Sequence, residues 1–150
     1  MIRAYRSEDK LEVIELLRKN IPAFFASEEE EDFQQYLEKE QEDYFVYKEG
    51  LKIIGAGGIN YFPKENEARI SWDMIDPEYH GKGIGSKLVR HRLQHIQERA
   101  EGIDTIIVRT SQVAFRFYEK MGFELKRIEK DFWAEGFDLY LMKMTTPGDL

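Results

Sequence analysis

The stretch Pro77-Glu78-Tyr79-His80-Gly81-Lys82-Gly83-Ile84-Gly85-Ser86 decides how this chain is read. Upstream, Glu67 to Ile75 alternates Ala68, Ile70, Trp72 and Met74 against Arg69, Ser71, Asp73 and Ile75, the period of a strand, and Asp76-Pro77 stops it. Downstream, Gly83 opens a long helix that runs to about Glu101 and is capped by Gly102. A glycine turn between strand and helix points successive backbone N–H groups outward, together with the free N–H groups of the helix's first turn. The main chain alone then makes an anion site, the helix dipole adds to it, and Lys82 can contribute a point charge. Two other glycine motifs fit poorly. A dinucleotide fingerprint needs glycine where Ser86 stands, and a nucleotide phosphate loop needs Ser or Thr directly after Gly-Lys, where Gly83 stands. A tight turn with no ligand is the plain alternative.

Working outward, Ile2 to Tyr5 reads as a short strand. Ser7 or Asp9 then caps a helix whose apolar positions are Leu11, Val13, Ile14, Leu16 and Leu17, ended by Asn20 and Pro22. Ser27 is a second N-cap, before an acidic first turn from Glu28 to Asp32 and a buried stripe of Phe33, Tyr36 and Leu37. The acidic run suits a helix N-terminus and could also attract a cation. Asp43–Lys48 and Leu51–Tyr61 form two strands around Glu49-Gly50, with glycines 55, 57 and 58 marking a bulge or a close neighbour. Past the long helix come a strand, Thr105–Thr110, a short helix, Gln112–Met121, with Val113, Ala114, Phe117, Tyr118 and Met121 at helical spacing, and two strands, Phe123–Asp131 and Phe137–Met144. The order β-α-α-β-β-β-α-β-α-β-β predicts an α+β class, with a mixed, mostly antiparallel sheet of about seven strands and helices on both faces. One domain over residues 1–145 with a tail at 146–150 is expected.

Composition narrows the function. The chain has 150 residues, no cysteine and a net charge of −7. Disulfides, thiolate metal sites and a cysteine nucleophile are excluded. The acidic balance argues against a nucleic-acid partner and suits a cationic substrate. No apolar run resembles a signal segment or a membrane span, so a cytoplasmic location and no membrane partner are expected. His91 and His95 are four apart on the long helix, but no third ligand matches them and no metal is expected. Arg92 stands out on the apolar stripe between Leu88 and Ile96, where it must snorkel or pair with a carboxylate.

His80-Gly81-Lys82-Gly83-Ile84-Gly85 resembles the acetyl-CoA-binding motif of the GNAT superfamily of N-acetyltransferases, Gln/Arg-x-x-Gly-x-Gly/Ala. His80 stands in the first position, and Gly83 and Gly85 in the glycine positions. Downstream, Ala114-Phe115-Arg116-Phe117-Tyr118-Glu119-Lys120-Met121-Gly122-Phe123 resembles the superfamily's Ala-x-x-x-Tyr-Glu-Lys-x-Gly-Phe. The resemblance covers essentially the whole chain and the element order agrees with it. It implies a GNAT-like acyl-CoA N-acyltransferase fold, acetyl-CoA as co-substrate with no metal, and transfer of the acetyl group to a primary amine by direct attack.

The resemblance also implies roles. The pyrophosphate would lie on His80, Gly81, Lys82, Gly83, Ile84, Gly85 and Ser86. The main chain at Met74 and Ile75 would lie along the pantetheine, at a splay between two parallel strands. Ser111 stands where an asparagine often helps hold the cofactor. Tyr118 would protonate the departing sulfur. An amine must lose a proton to attack, since its ordinary pKa is about 10. Asp73 is the nearest candidate base, with an ion pair to Arg69 or Arg92 as its structural alternative, and Glu67 or ordered water as other options. The acceptor, a small-molecule or peptide amine, would meet Phe24, Phe25, Trp72, Phe132 and Trp133, which either form an aromatic pocket or pack under loops. Phe24, Trp72 and Trp133 are the candidate substrate contacts. A non-catalytic acyl-CoA sensor is the alternative function, and a homodimer the default assembly.

Overall fold

The structure, a computed structural model, describes residues 1–145; the expected tail at 146–150 lies outside the described residues. Its elements are β1 (Ile2–Ala4), α1 (Lys10–Lys19), α2 (Glu29–Gln35), β2 (Asp43–Glu49), β3 (Lys52–Phe62), β4 (Glu67–Ile75), α3 (Ile84–Arg99), β5 (Thr105–Thr110), α4 (Phe115–Lys120), β6 (Glu124–Ala134) and β7 (Phe137–Thr145). They build one seven-stranded sheet in the order β1-β2-β3-β4-β5-β7-β6. Every neighbouring pair is antiparallel except β4 and β5. No described helix is long and apolar enough to cross a membrane.

Alternation along the strands separates two cores. Val13, Leu16 and Leu17 of α1 and Phe33 of α2 pack on Tyr44, Val46, Ile53, Ala56 and Met74. On the other face, Ile84, Leu88, Val89 and Ile96 of α3 and Tyr118 of α4 pack on Ile54, Ile59, Ala68, Ile70, Ile106 and Val108. Leu11, expected inside, is 82% exposed, because its turn of α1 looks away from the sheet. Val113 is also exposed, since α4 begins only at Phe115. Ser27 caps nothing: Glu29 instead turns its own carboxylate back onto the Ala26 N–H at 2.8 Å. The long helix ends at Ala100, and Gly102 serves the turn beyond it.

The alternation expected for β4 fails at its middle, and that failure positions the site. Gly58 pairs with Ser71 and Ala56 with Met74, so Gly57 alone faces both Trp72 and Asp73. This is a β-bulge, and Trp72 takes φ +50° within it. Ala68 and Ile70 therefore belong to the core under α3, whereas Trp72 and Met74 belong to the core under α1 and α2. A Cβ on Gly57 would lie 2.7 Å from the Arg92 Cζ and the Asp73 Oδ1, so only glycine lets α3 and the bulged Asp73 meet there.

β4 and β5 run parallel and pair only from Glu67–Ile70 to Thr105–Val108. Beyond Ile70 they diverge, and the β4 edge from Ser71 to Ile75 has no β5 partner. The splay opens the cleft.

Candidate active site

One cleft of about 910 Å³ follows the splay, and it gathers most of the residues picked out in the sequence. Met74, Ile75, His80, Gly81, Gly83, Ile84, Gly85, Ser86, Ser111 and Tyr118 line it, together with Asp73, Phe24, Trp72 and Trp133. Lys82 does not. Its ammonium sits 5.1 Å from the centre of the Tyr79 ring, at the rim. Phe132 also stays outside, 40% exposed.

At the start of α3, Gly83 is the N-cap residue, at φ +80°, and no side chain caps the helix. The N–H groups of Gly81 to Ser86 have no hydrogen-bond acceptor among the described residues; the first satisfied one is Lys87, which donates to the Gly83 carbonyl at 3.1 Å. Six successive main-chain donors at the positive end of a helix fit a diphosphate. The glycines do different things. Gly81 and Gly83 hold left-handed turns with open space where a Cβ would be, while a Cβ on Gly85 would come 3.2 Å from the Phe117 ring. Gly85 thus also eases the packing of α3 on α4, a reason the motif alone did not give.

At the centre, three elements converge on Asp73. Arg92, 1% exposed on α3, donates through Nη1 to the Asp73 Oδ1 and to the Gly58 carbonyl, and through Nε to the Leu88 carbonyl. It pairs inward and does not snorkel. The Tyr118 hydroxyl donates to the Asp73 Oδ2 at 2.5 Å. Burial, and then the negative charge of Asp73, push the Tyr118 hydroxyl well above its ordinary pKa. Arg69, the other pairing considered for Asp73, is held by Glu67 at 2.6 Å and lies over the Phe62 ring.

Toward α1 and α2, the cleft wall carries Glu29, Asp32 and Glu40 beside Phe25 and Trp72, whose rings stack 6.1 Å apart. Glu29 was not singled out in the sequence beyond its place in an acidic turn. Burial pushes its carboxyl up to about 7, the Ala26 N–H opposes that shift, and the charges of Asp32 and Glu28 add to it. Its neighbour Glu30 points outward to Arg18, at 2.7 Å. Tyr36 and Ser71 share a hydrogen bond at 2.9 Å, and Ser71 donates to the Asn60 Oδ1 at 3.0 Å. The expected aromatic pocket is thus two separate groups. Phe25 and Trp72 sit under α2, while Trp133 stands at the far wall with its Nε1 on the Thr110 carbonyl at 3.1 Å. Phe24 meets the His80 ring edge-on at 5.0 Å. Ser111 accepts the Val113 N–H at 3.3 Å within its own turn. His91 and His95 pack edge-on against Phe45, and among the described residues no group of three or more His, Asp or Glu side chains is arranged to hold a metal.

The family model described as an acetyltransferase (GNAT) domain matches residues 9–146. A spermine/spermidine N(1)-acetyltransferase of Bacillus subtilis is 32% identical over 98 residues, which are 60% of this chain and 63% of that protein. An uncharacterized N-acetyltransferase of Methanocaldococcus jannaschii is 26% identical over 104 residues, 65% of this chain and 46% of that protein. The match thus spans about half to two thirds of the length of these relatives. Among solved structures, the ribosomal-protein-S18-alanine N-acetyltransferase of Escherichia coli superposes with a TM-score of 0.79 at 19% identity, covering 97% of this chain and 93% of that one.

Proposed function

This chain belongs to the GNAT acetyltransferase family, and we propose that it is an acetyl-CoA-dependent N-acetyltransferase acting on a primary amine. One observation carries the reading: unpartnered main-chain donors from Gly81 to Ser86 and a buried tyrosine hydroxyl, Tyr118, share a cleft that opens where β4 and β5 part. Acetyl-CoA supplies an activated acetyl thioester. The Gly81–Ser86 amides would hold its pyrophosphate, with His80 and Ser111 beside it. The unpaired edge at Met74 and Ile75 would hold the pantetheine arm, as a strand holds its neighbour.

In the transfer, a nitrogen–carbon bond forms as the carbon–sulfur bond breaks. The amine gives up one proton and the sulfur takes one. Tyr118 is the candidate donor: its hydroxyl lines the cleft, and the proton that it gives to the Asp73 Oδ2 here would turn to the sulfur as the thiolate forms. Asp73 is poorly suited to be the base. One of its oxygens is held by Arg92 and the other by Tyr118, and protonating it would leave a buried guanidinium uncompensated. We assign Asp73 to positioning Tyr118. Glu29 is the better-matched acceptor of the amine's proton: it lines the cleft, and its pKa of about 7 lies close to working pH. Phe24, Trp72 and Trp133 would border the acceptor.

Calorimetry with CoA and thiol detection across an amine panel test this reading. The expected results are heat on CoA titration and thiol release with at least one amine. Binding with no thiol release would leave only a sensor, and absence of heat would remove the cradle. The polyamine chemistry named for the Bacillus relative suits the acidic α2 wall; the opposite wall carries different charge.

A further inference from the structure

Three arginines line the cleft: Arg69, Arg92 and Arg109. Two are matched, Arg92 by Asp73 and Arg69 by Glu67. The Arg109 guanidinium makes no hydrogen bond and no ion pair among the described residues. It is held only by aromatic faces, 5.0 Å from the centre of the Phe132 ring and 5.4 Å from that of Trp133. Arg109 is exposed on the open side of the cleft; partial desolvation, and then the positive charges of Arg69 and Arg127, lower its pKa, with Glu129 opposing. A planar fork of five donors, set beside like charge at the cleft surface and given no protein acceptor among the described residues, is matched by a carboxylate or a phosphate that displaces its water.

Its place in the sheet separates it from the pyrophosphate cradle. Ile106 and Val108 join the core under α3, so Arg109 takes the opposite face of β5. Ala68 and Ile70 likewise put Arg69 on that opposite face of β4. Arg69 pairs in register with Ile107, so Arg69 and Arg109 are diagonal neighbours there. The cradle lies at the N-terminus of α3, which covers the other face. Gln112 braces this wall from below: its Oε1 accepts the Asp138 N–H at 2.9 Å and its Nε2 donates to the Gly136 carbonyl.

We propose that Arg109, with Arg69 beside it, seats an anionic group on the acceptor, so that the preferred acceptor carries a carboxylate or phosphate at one end and the reacting amine at the other. The proposal rests on the acetyltransferase reading above. A bipolar acceptor fits the bipolar cleft, its ammonium end toward Glu29, Asp32 and Glu40 and its anion toward the arginines. A bare polycation meets the acidic wall favourably but is repelled by Arg109.

Matched amines test it. Lysine against cadaverine probes a carboxylate, phosphoethanolamine against ethanolamine probes a phosphate, and spermidine serves as the polycation. The expected result is a kcat/KM at least tenfold higher for the anion-bearing member of one pair, mainly through KM, and a ratio that falls toward one in Arg109→Gln and recovers partly in Arg109→Lys. Spermidine turned over faster than every anion-bearing amine, or ratios unchanged in Arg109→Gln, would overturn it. A second readout needs no turnover. The Trp133 indole N–H signal in NMR should shift saturably with acetate or inorganic phosphate in wild type and not in Arg109→Gln. No shift, or the same shift in both proteins, would also overturn it. If the indole responds while no amine is acetylated, the anion seat stands and the transferase reading falls.

Discussion

The two working parts of the cleft are made from different materials. At the start of α3 the donors are main-chain amides, held by two left-handed glycines and needing no particular side chain. At the centre the machinery is all side chain: Arg92 from α3, Asp73 from the bulge of β4 and Tyr118 from α4. The first part is local, built within a few residues, and its cost is small. The second is assembled across the chain and buries a full charge. Local main-chain devices should therefore fail gently and long-range buried ones abruptly.

The sharpest way to break that comparison is Asp73→Ala. It strands the Arg92 guanidinium, and removing one partner of a buried pair costs about 3–5 kcal/mol; some access of water to Asp73 places the expectation near the lower end. Urea denaturation measures it. Arg92→Met added to Asp73→Ala should recover a large part of the loss, because it removes the stranded charge. A loss under about 1 kcal/mol would mean that water, not Asp73, compensates Arg92, and the contrast would disappear.

Next in size is Tyr118→Phe, which keeps the ring packed against Phe117 and Phe123 and removes only the donor. Turnover should drop by about 100-fold, the low end for a lost general acid. Affinity for acetyl-CoA, read by calorimetry, should change little. Equal loss in both would show that the hydroxyl builds the cofactor site and does not act on the leaving group.

The cradle should respond less. Gly83→Ala meets no neighbour, and its cost is the left-handed backbone at φ +80°, about 1–2 kcal/mol. Acetyl-CoA binding should weaken by about tenfold, with turnover at saturation nearly kept. If turnover falls while affinity holds, the amides are not the cofactor's grip.

This division also explains what the sequence made legible. The cradle could be read because main-chain geometry needs glycine at fixed spacing, and the strand and helix on either side of it carry their own periods. The order of elements and the mixed sheet followed from the same local signals. The pairing of Asp73 could be narrowed to Arg69 or Arg92 and no further, because Arg92 lies 19 positions downstream and meets Asp73 only through the bulge opposite Gly57. Glycines 55, 57 and 58 signalled a bulge or a close neighbour, but not that the extra residue sits in β4: Ala68, Ile70, Trp72 and Met74 alternate as if on one face, and the switch at Trp72 shows only when β3 pairs with β4. Arg109 gave no sign in a β-branched strand, since what marks it is a missing partner. Glu29 was masked by its acidic neighbours.

Glu29 gives the smallest and most discriminating test, because it stands between the two kinds of device: a side chain held by one main-chain N–H. Its carboxyl moves from an ordinary 4.5 to about 7 in the folded protein. The folded state thus holds the proton more tightly than the unfolded one. The stability from this group is complete below about pH 4.5, is lost as pH rises toward 7, and stays lost above. Glu29→Gln keeps an oxygen for the Ala26 N–H and removes the titration. Stability between these pH values should then fall less steeply than in wild type, and the variant should gain on the order of 1 kcal/mol above pH 7, allowing for solvent at the cleft. If Glu29 also takes the amine's proton, the acid limb of kcat/KM near pH 7 should disappear in the same variant. A stability profile that changes while the activity profile keeps its limb would make Glu29 a buried acid of the wall and nothing more, and would return proton removal to ordered water.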